Sequence, residues 1–164
     1  MDDAIAKMGE VVFSGPGVST LRALGLGSCI GLCAFDPVTK HACLAHIVLP
    51  KSKTTISDLG KYADTAVPYV VEQMTSRGVL KSRLRFAIAG GAQLFNFEGA
   101  GERLDVGKRN AEAVTGIIKD MKLRLVAADV GGKSGRTVAL DTATGEVTVK
   151  LVGGEMQHLA HLSR

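Results

Sequence analysis

The 164-residue chain has no tryptophan, and aromatic residues make up only 4% of it. Aliphatic side chains and alanine must therefore fill the core. Stacking platforms for nucleic-acid bases are nearly missing. Cysteine is scarce and odd in number, three residues at uneven spacing, which excludes a disulfide framework. No window approaches the roughly 20 apolar residues of a membrane-spanning helix. The opening MDDAIAKMGE lacks the basic stretch and apolar run of a secretory leader. These absences predict a soluble, cytoplasmic protein with reduced thiols, bound to no nucleic acid and inserted in no membrane.

What is present is a 46% hydrophobic chain with a modest net charge of +4 and 20 glycines. Such a chain can bury one full core but not two, so a single domain spanning 1–164 is expected. Its basic residues (Lys51, Lys53, Lys81, Arg83, Arg85, Lys122, Arg124) usually alternate with apolar ones, as on a solvated sheet face.

Hydrophobic periodicity places strands at GEVVFS, at 29–35 and at 42–49. Asp36-Pro37-Val38-Thr39 between the last two fits a type I turn. A helix is predicted over 59–77, with Ala63, Val67, Val70, Val71 and Met74 on its apolar face and Ser57 or Asp58 as cap. Pro68 is expected to kink that helix or to mark its start. RLRFAIAGG reads as a half-buried strand, 108–121 as a second helix, and LRLVAAD, RTVALD and EVTVKLV as three further strands. The tail with His158 and His161 reads as loose. Strands outnumber helices and several form hairpins, which predicts an α+β or mixed α/β sandwich.

The stretch LGLGSCIGLCAFD carries two of the three cysteines and three glycines. If Asp36 pairs with Thr39, facing residue numbers sum to 75, which sets Cys29 opposite His46. A bulge at the turn would shift that register. Directly opposed side chains have Cβ atoms about 4.5–5.5 Å apart, close enough for a thiol and an imidazole to share a proton. The imidazole can then raise the thiolate nucleophile. Backbone amides near Ser28 and Cys29 can hold an oxyanion. The rival reading is a buried thiol that merely neighbours a core histidine. A zinc set of Cys29, Cys33, Cys43 and His46 would require side chains from alternating faces of a hairpin to converge, so Cys33 and Cys43 are expected to be small core residues. No metal and no cofactor is expected. GGKSGRT leads into a strand instead of a helix, so it makes no phosphate loop.

LGLGSCIGLCAFDPVTKHACLAHIVLP closely resembles the signature of the CheD family of chemoreceptor glutamine deamidases: Gly-Ser-Cys, an Asp-Pro turn, then Ala-His before an apolar pair and Pro. The resemblance continues through GKYADTAVPYVVEQM, IAGGAQLF, DVGKRNAEAV, DVGGKSGR and VGGE, covering most of the chain in order. It implies a four-layer α/β/β/α sandwich with mixed sheets. Cys29 matches the family nucleophile and His46 its general base and acid. The implied substrates are glutamines on the cytoplasmic region of methyl-accepting chemoreceptors, with methyl-ester hydrolysis as a related activity and a CheC-like phosphatase as a further partner. Some members carry a threonine six residues before the cysteine to orient the histidine. Here that position is Ala23, which leaves Thr20, Ser28 or a backbone carbonyl for the task. A silent adaptor that binds receptors or the phosphatase is the alternative function.

Overall fold

The computed structural model describes residues 2–53, 57–94 and 105–164. In chain order these form β1 (Asp2–Ile5), β2 (Val11–Phe13), β3 (Val18–Leu26), β4 (Ile30–Phe35), β5 (Ala42–Ile47), α1 (Ala63–Ser76), β6 (Arg85–Gly90), α2 (Val106–Asp120), β7 (Arg124–Val130), β8 (Arg136–Asp141), β9 (Glu146–Leu151) and β10 (Met156–His161). Two mixed sheets result, ordered β2-β5-β4-β6-β7 and β1-β3-β8-β9-β10. The first is called the central sheet and the second the outer sheet.

Alternation along the central strands explains how the layers stack. Ile30, Leu32 and Ala34 of β4 join Ala45 and Ile47 of β5 on one face, where Ala63, Val67, Val70 and Met74 of α1 and Val114 and Ile118 of α2 cover them. Cys33, Phe35, Leu44, Ala87 and Ala89 point the other way and meet Leu21, Ala23, Val138, Leu140 and Val147 of the outer sheet. The expected mixed α+β sandwich is present. Both described helices lie on the central sheet, so the described residues build three of the four implied layers, α/β/β. The last residue of the IAGGAQLF stretch, Phe95, lies outside the described residues.

Three local expectations are corrected. Helix α1 begins at Ala63 and runs through Pro68, and its start carries no side-chain cap. Pro68 is exposed, so the Asp64 carbonyl that its missing N–H would have met can be hydrated instead. The tail is not loose: Met156–His161 is the edge strand β10, antiparallel to β9, with His158 Nδ1 2.9 Å from Glu146 Oε2. The third concerns the hairpin turn, which spans four residues, not two. Lys40 N–H donates to the Asp36 carbonyl at 2.7 Å, and Lys40 takes a positive φ of 63°. The register therefore sums to 77, with Ile30 opposite Ile47 and Gly31 opposite His46.

Asp36 governs that turn. Its buried carboxylate accepts from the Val38 amide at 3.0 Å, the Thr39 hydroxyl at 2.7 Å and Arg83 Nη2 at 3.1 Å. Burial alone would raise its pKa, but the bonds from Arg83, Thr39 and Val38 outweigh that and bring it down to about 2. A carboxyl depressed in the folded state stabilises the protein fully above its ordinary value near 3.8, and that contribution is lost as pH falls through about 2. Acid titration followed by circular dichroism should therefore show a wild-type loss of stability across this window. Asp36→Asn should lack that contribution at neutral pH and respond less to acid. An unchanged acid response in Asp36→Asn would remove Asp36 as a source of the effect.

Candidate active site

Cys29 sits one residue before β4, where the chain enters the central sheet. Its carbonyl accepts from the Gly91 amide at 2.9 Å, and the neighbouring Gly27 carbonyl accepts from Ala92 at 2.7 Å. These bonds tie the cysteine to the end of β6. Gly90 at that end has φ of 120°, and a Cβ there would overlap the Cys29 carbonyl oxygen, so only glycine allows the approach. The Ser28 and Cys29 amides, by contrast, donate to no acceptor among the described residues. Among the described residues, two backbone N–H groups beside the thiol are thus unspent.

His46 lies on β5 with the parity of Leu44, so its ring enters the interlayer, the face that also receives Cys29. The two are not directly opposed, as the expected register had them. The longer turn moves the pairing by two residues, which keeps both side chains on one face and puts Gly31 across from His46. Gly31 brings no side chain into the space beside the imidazole. A Cβ there would come within 2.7 Å of Val138 Cγ1 and 3.1 Å of Leu26 Cδ1. Cys29 stands diagonally from His46, past that glycine.

The imidazole is held by backbone. His46 Nδ1 is 2.9 Å from the Ala6 carbonyl oxygen, which can only accept, so Nδ1 carries the proton. In the neutral ring Nε2 is then the acceptor, buried and without a hydrogen-bond partner among the described residues. Of the residues that might have oriented the ring, Thr20 does not reach it: Leu21 and Ala23 point inward, whereas Thr20 lines the outer face with Arg22 and Asp141. Ser28 enters the site through its backbone. Ala23 is fully buried in the interlayer below Gly31.

The chain matches the family model "CheD chemotactic sensory transduction" over residues 48–151. It is 42% identical to the "Probable chemoreceptor glutamine deamidase CheD" of Clostridium botulinum (strain Alaska E43 / Type E3), over 93% of this chain and 96% of that one. It is also 42% identical to the "Chemoreceptor glutamine deamidase CheD" of Thermotoga maritima, over 93% and 94% of the two chains. The chain belongs to the CheD family.

Within this CheD chain the three cysteines occupy different environments. Cys33 faces the interlayer and Cys43 faces the helices, on opposite sides of one sheet, so they cannot converge with Cys29 and His46 on a single ion. Burial pushes the Cys33 thiol up to about 12 and the Cys43 thiol further still, and it raises Cys29 as well. Cys29 is the one with 9% of its surface exposed, while the other two have none. Brief treatment of the folded protein with iodoacetamide should therefore label Cys29 alone, and denaturant should expose all three. Mass mapping checks this, and labelling of Cys33 or Cys43 at the rate of Cys29 would contradict the placement.

One residue at the site has no counterpart among the expected ones. Asn110 of α2 is completely buried, and its amide nitrogen donates to the Ser28 carbonyl at 2.9 Å and the Val48 carbonyl at 2.8 Å. Its sequence signal was a polar residue on the apolar face of α2, among Gly107, Ala111, Val114 and Ile118.

Proposed function

We propose that this protein deamidates glutamine side chains on the cytoplasmic region of chemoreceptors, with Cys29 as nucleophile and His46 as general base and acid. The observation that carries the reading is the buried Nε2 of His46, unpartnered among the described residues, on the face it shares with Cys29, with the Ala6 carbonyl fixing the tautomer. A buried lone pair without a donor is costly unless something is meant to protonate it. The Cys29 thiol is the nearby acid on that face, and burial raises it, so it needs a base to ionise.

The reaction is acyl transfer. Nε2 takes the thiol proton as sulfur attacks the carboxamide carbon, and the Ser28 and Cys29 amides receive the developing oxyanion. The C–N bond then breaks, with the proton on Nε2 passing to the leaving nitrogen, which departs as ammonia. Neutral His46 next takes a proton from water, whose oxygen attacks the thioester. Collapse returns the proton to sulfur and releases glutamate. Methyl-ester hydrolysis would follow the same route with methanol leaving, and a CheC-like phosphatase presenting a receptor-like surface would compete for the same mouth.

The names of the relatives from Clostridium botulinum and Thermotoga maritima support the substrate class. A silent adaptor draws its support from Ala23, which lacks the orienting hydroxyl, but the Ala6 carbonyl supplies that orientation by other means. Co-incubation with a chemoreceptor cytoplasmic region decides between the two. Mass spectrometry should find glutamine converted to glutamate with release of ammonia. Receptor binding without conversion would favour the adaptor.

A further inference from the structure

We propose that Asn110 is a positioning residue that sets the separation of Cys29 from His46; the proposal rests on the reading of those two as a reacting pair. The β4–β5 ladder ends at Ile30–Ile47, so the next facing positions, Cys29 and Val48, are unpaired. Beyond that rung the strands part company. The Leu49 amide, which the next rung would have joined to Ser28, turns to the Lys61 carbonyl at 3.1 Å, while the Cys29 carbonyl stays with Gly91 of the β6 end. Two diverging chain ends would leave the nucleophile and the base without a common reference.

Asn110 spans that gap. Its amide nitrogen gives one bond to the carbonyl immediately before Cys29 and another to the carbonyl two residues after His46. Both partners can only accept, so the NH₂ group must be the end that faces them. The amide thus takes the place of the missing ladder rung, delivered from the helix layer. The same orientation leaves Oδ1 buried without a donor among the described residues. A residue kept only for packing on this apolar face would carry no such unsatisfied oxygen.

The test uses the full chain and needs no receptor. Iodoacetamide alkylation of Cys29 is measured against pH in wild type, Asn110→Ala, His46→Ala and the double variant. Asn110→Ala should slow alkylation at neutral pH by roughly tenfold, within the range of coupling between residues in one network, and should shift its pH profile towards that of His46→Ala. In the His46→Ala background, Asn110→Ala should add nothing. Val114→Ala, which loosens the same helix face without touching either carbonyl, should keep the wild-type profile. A wild-type profile in Asn110→Ala, or an equal slowing with and without His46, overturns the proposal. If Asn110→Ala does not fold, Asn110→Ser, with one donor and a smaller side chain, must show the same direction of shift. A normal profile in His46→Ala would instead sink the Cys–His pair itself, a result distinct from failure of the clamp.

Discussion

Cys29→Ala will leave receptor glutamines unconverted in a protein that folds and melts close to wild type. The thiol lies at the edge of the interlayer, and the packing of that layer is carried by Leu21, Leu44, Phe35, Val138 and their neighbours. Removing one sulfur atom from a partly open position therefore costs little stability. In the proposed mechanism that sulfur forms the covalent intermediate, so the rate should fall by a factor on the order of 10⁶, the scale seen when a nucleophile is deleted. Cys33→Ala and Cys43→Ala should behave the opposite way. Each leaves a small void in a closed layer, at about 1 kcal/mol, with catalysis intact below the melting point. The measurement is ammonia release from a receptor fragment, read beside thermal unfolding of each variant. Activity in Cys29→Ala equal to wild type would end the nucleophile assignment.

His46→Ala carries the second large effect, a loss on the order of 10²-fold or more, in the range for general acid–base groups. Its sign with pH follows from the thiol. Burial raises the Cys29 pKa, so at neutral pH a cysteine without its base is almost entirely protonated. The residual rate of His46→Ala should therefore climb as pH rises, because more thiolate forms. Wild type should instead climb less steeply, because Nε2 takes the thiol proton directly. An equally steep climb in both proteins would place the base on another residue. The Ala6 carbonyl makes a related point. It holds the ring through backbone, so side-chain replacement at position 6 that keeps the chain path should spare the rate, unlike loss of a triad side chain.

Much of this site was legible from residue order because of period-two geometry. The apolar runs at 29–35, 42–49 and RLRFAIAGG announced the strands of the central sheet, and the spacing of Ala63, Val67, Val70 and Met74 announced α1. The turn was less legible. Asp36-Pro37 does open it, but the chain needs Lys40 at positive φ to close it, and lysine carries no mark for that conformation. The register prediction was consequently two residues off. Strand β3 was not expected at all: its glycine at 25 and the irregular pairing between Ala23 and Leu26 blur the alternation that would have announced it.

Residue order by itself pointed to a shared face for Cys29 and His46, and the two-residue shift of the longer turn preserves it, because an even shift keeps every side chain on its own side of the sheet. It also determined the apolar faces of both helices, since a period of 3.6 residues is written in the side chains themselves. Tertiary structure alone decided what holds the pair. The Ala6 carbonyl that orients His46 comes from 40 residues upstream, and the carbonyls that Asn110 joins lie 82 and 62 residues from it. Every residue has a carbonyl, so no letter marks the one that will be used. Only the pairing of β1 with β3 at the edge of the outer sheet, and the packing of α2 across the diverging ends of β4 and β5, brings those oxygens to the site.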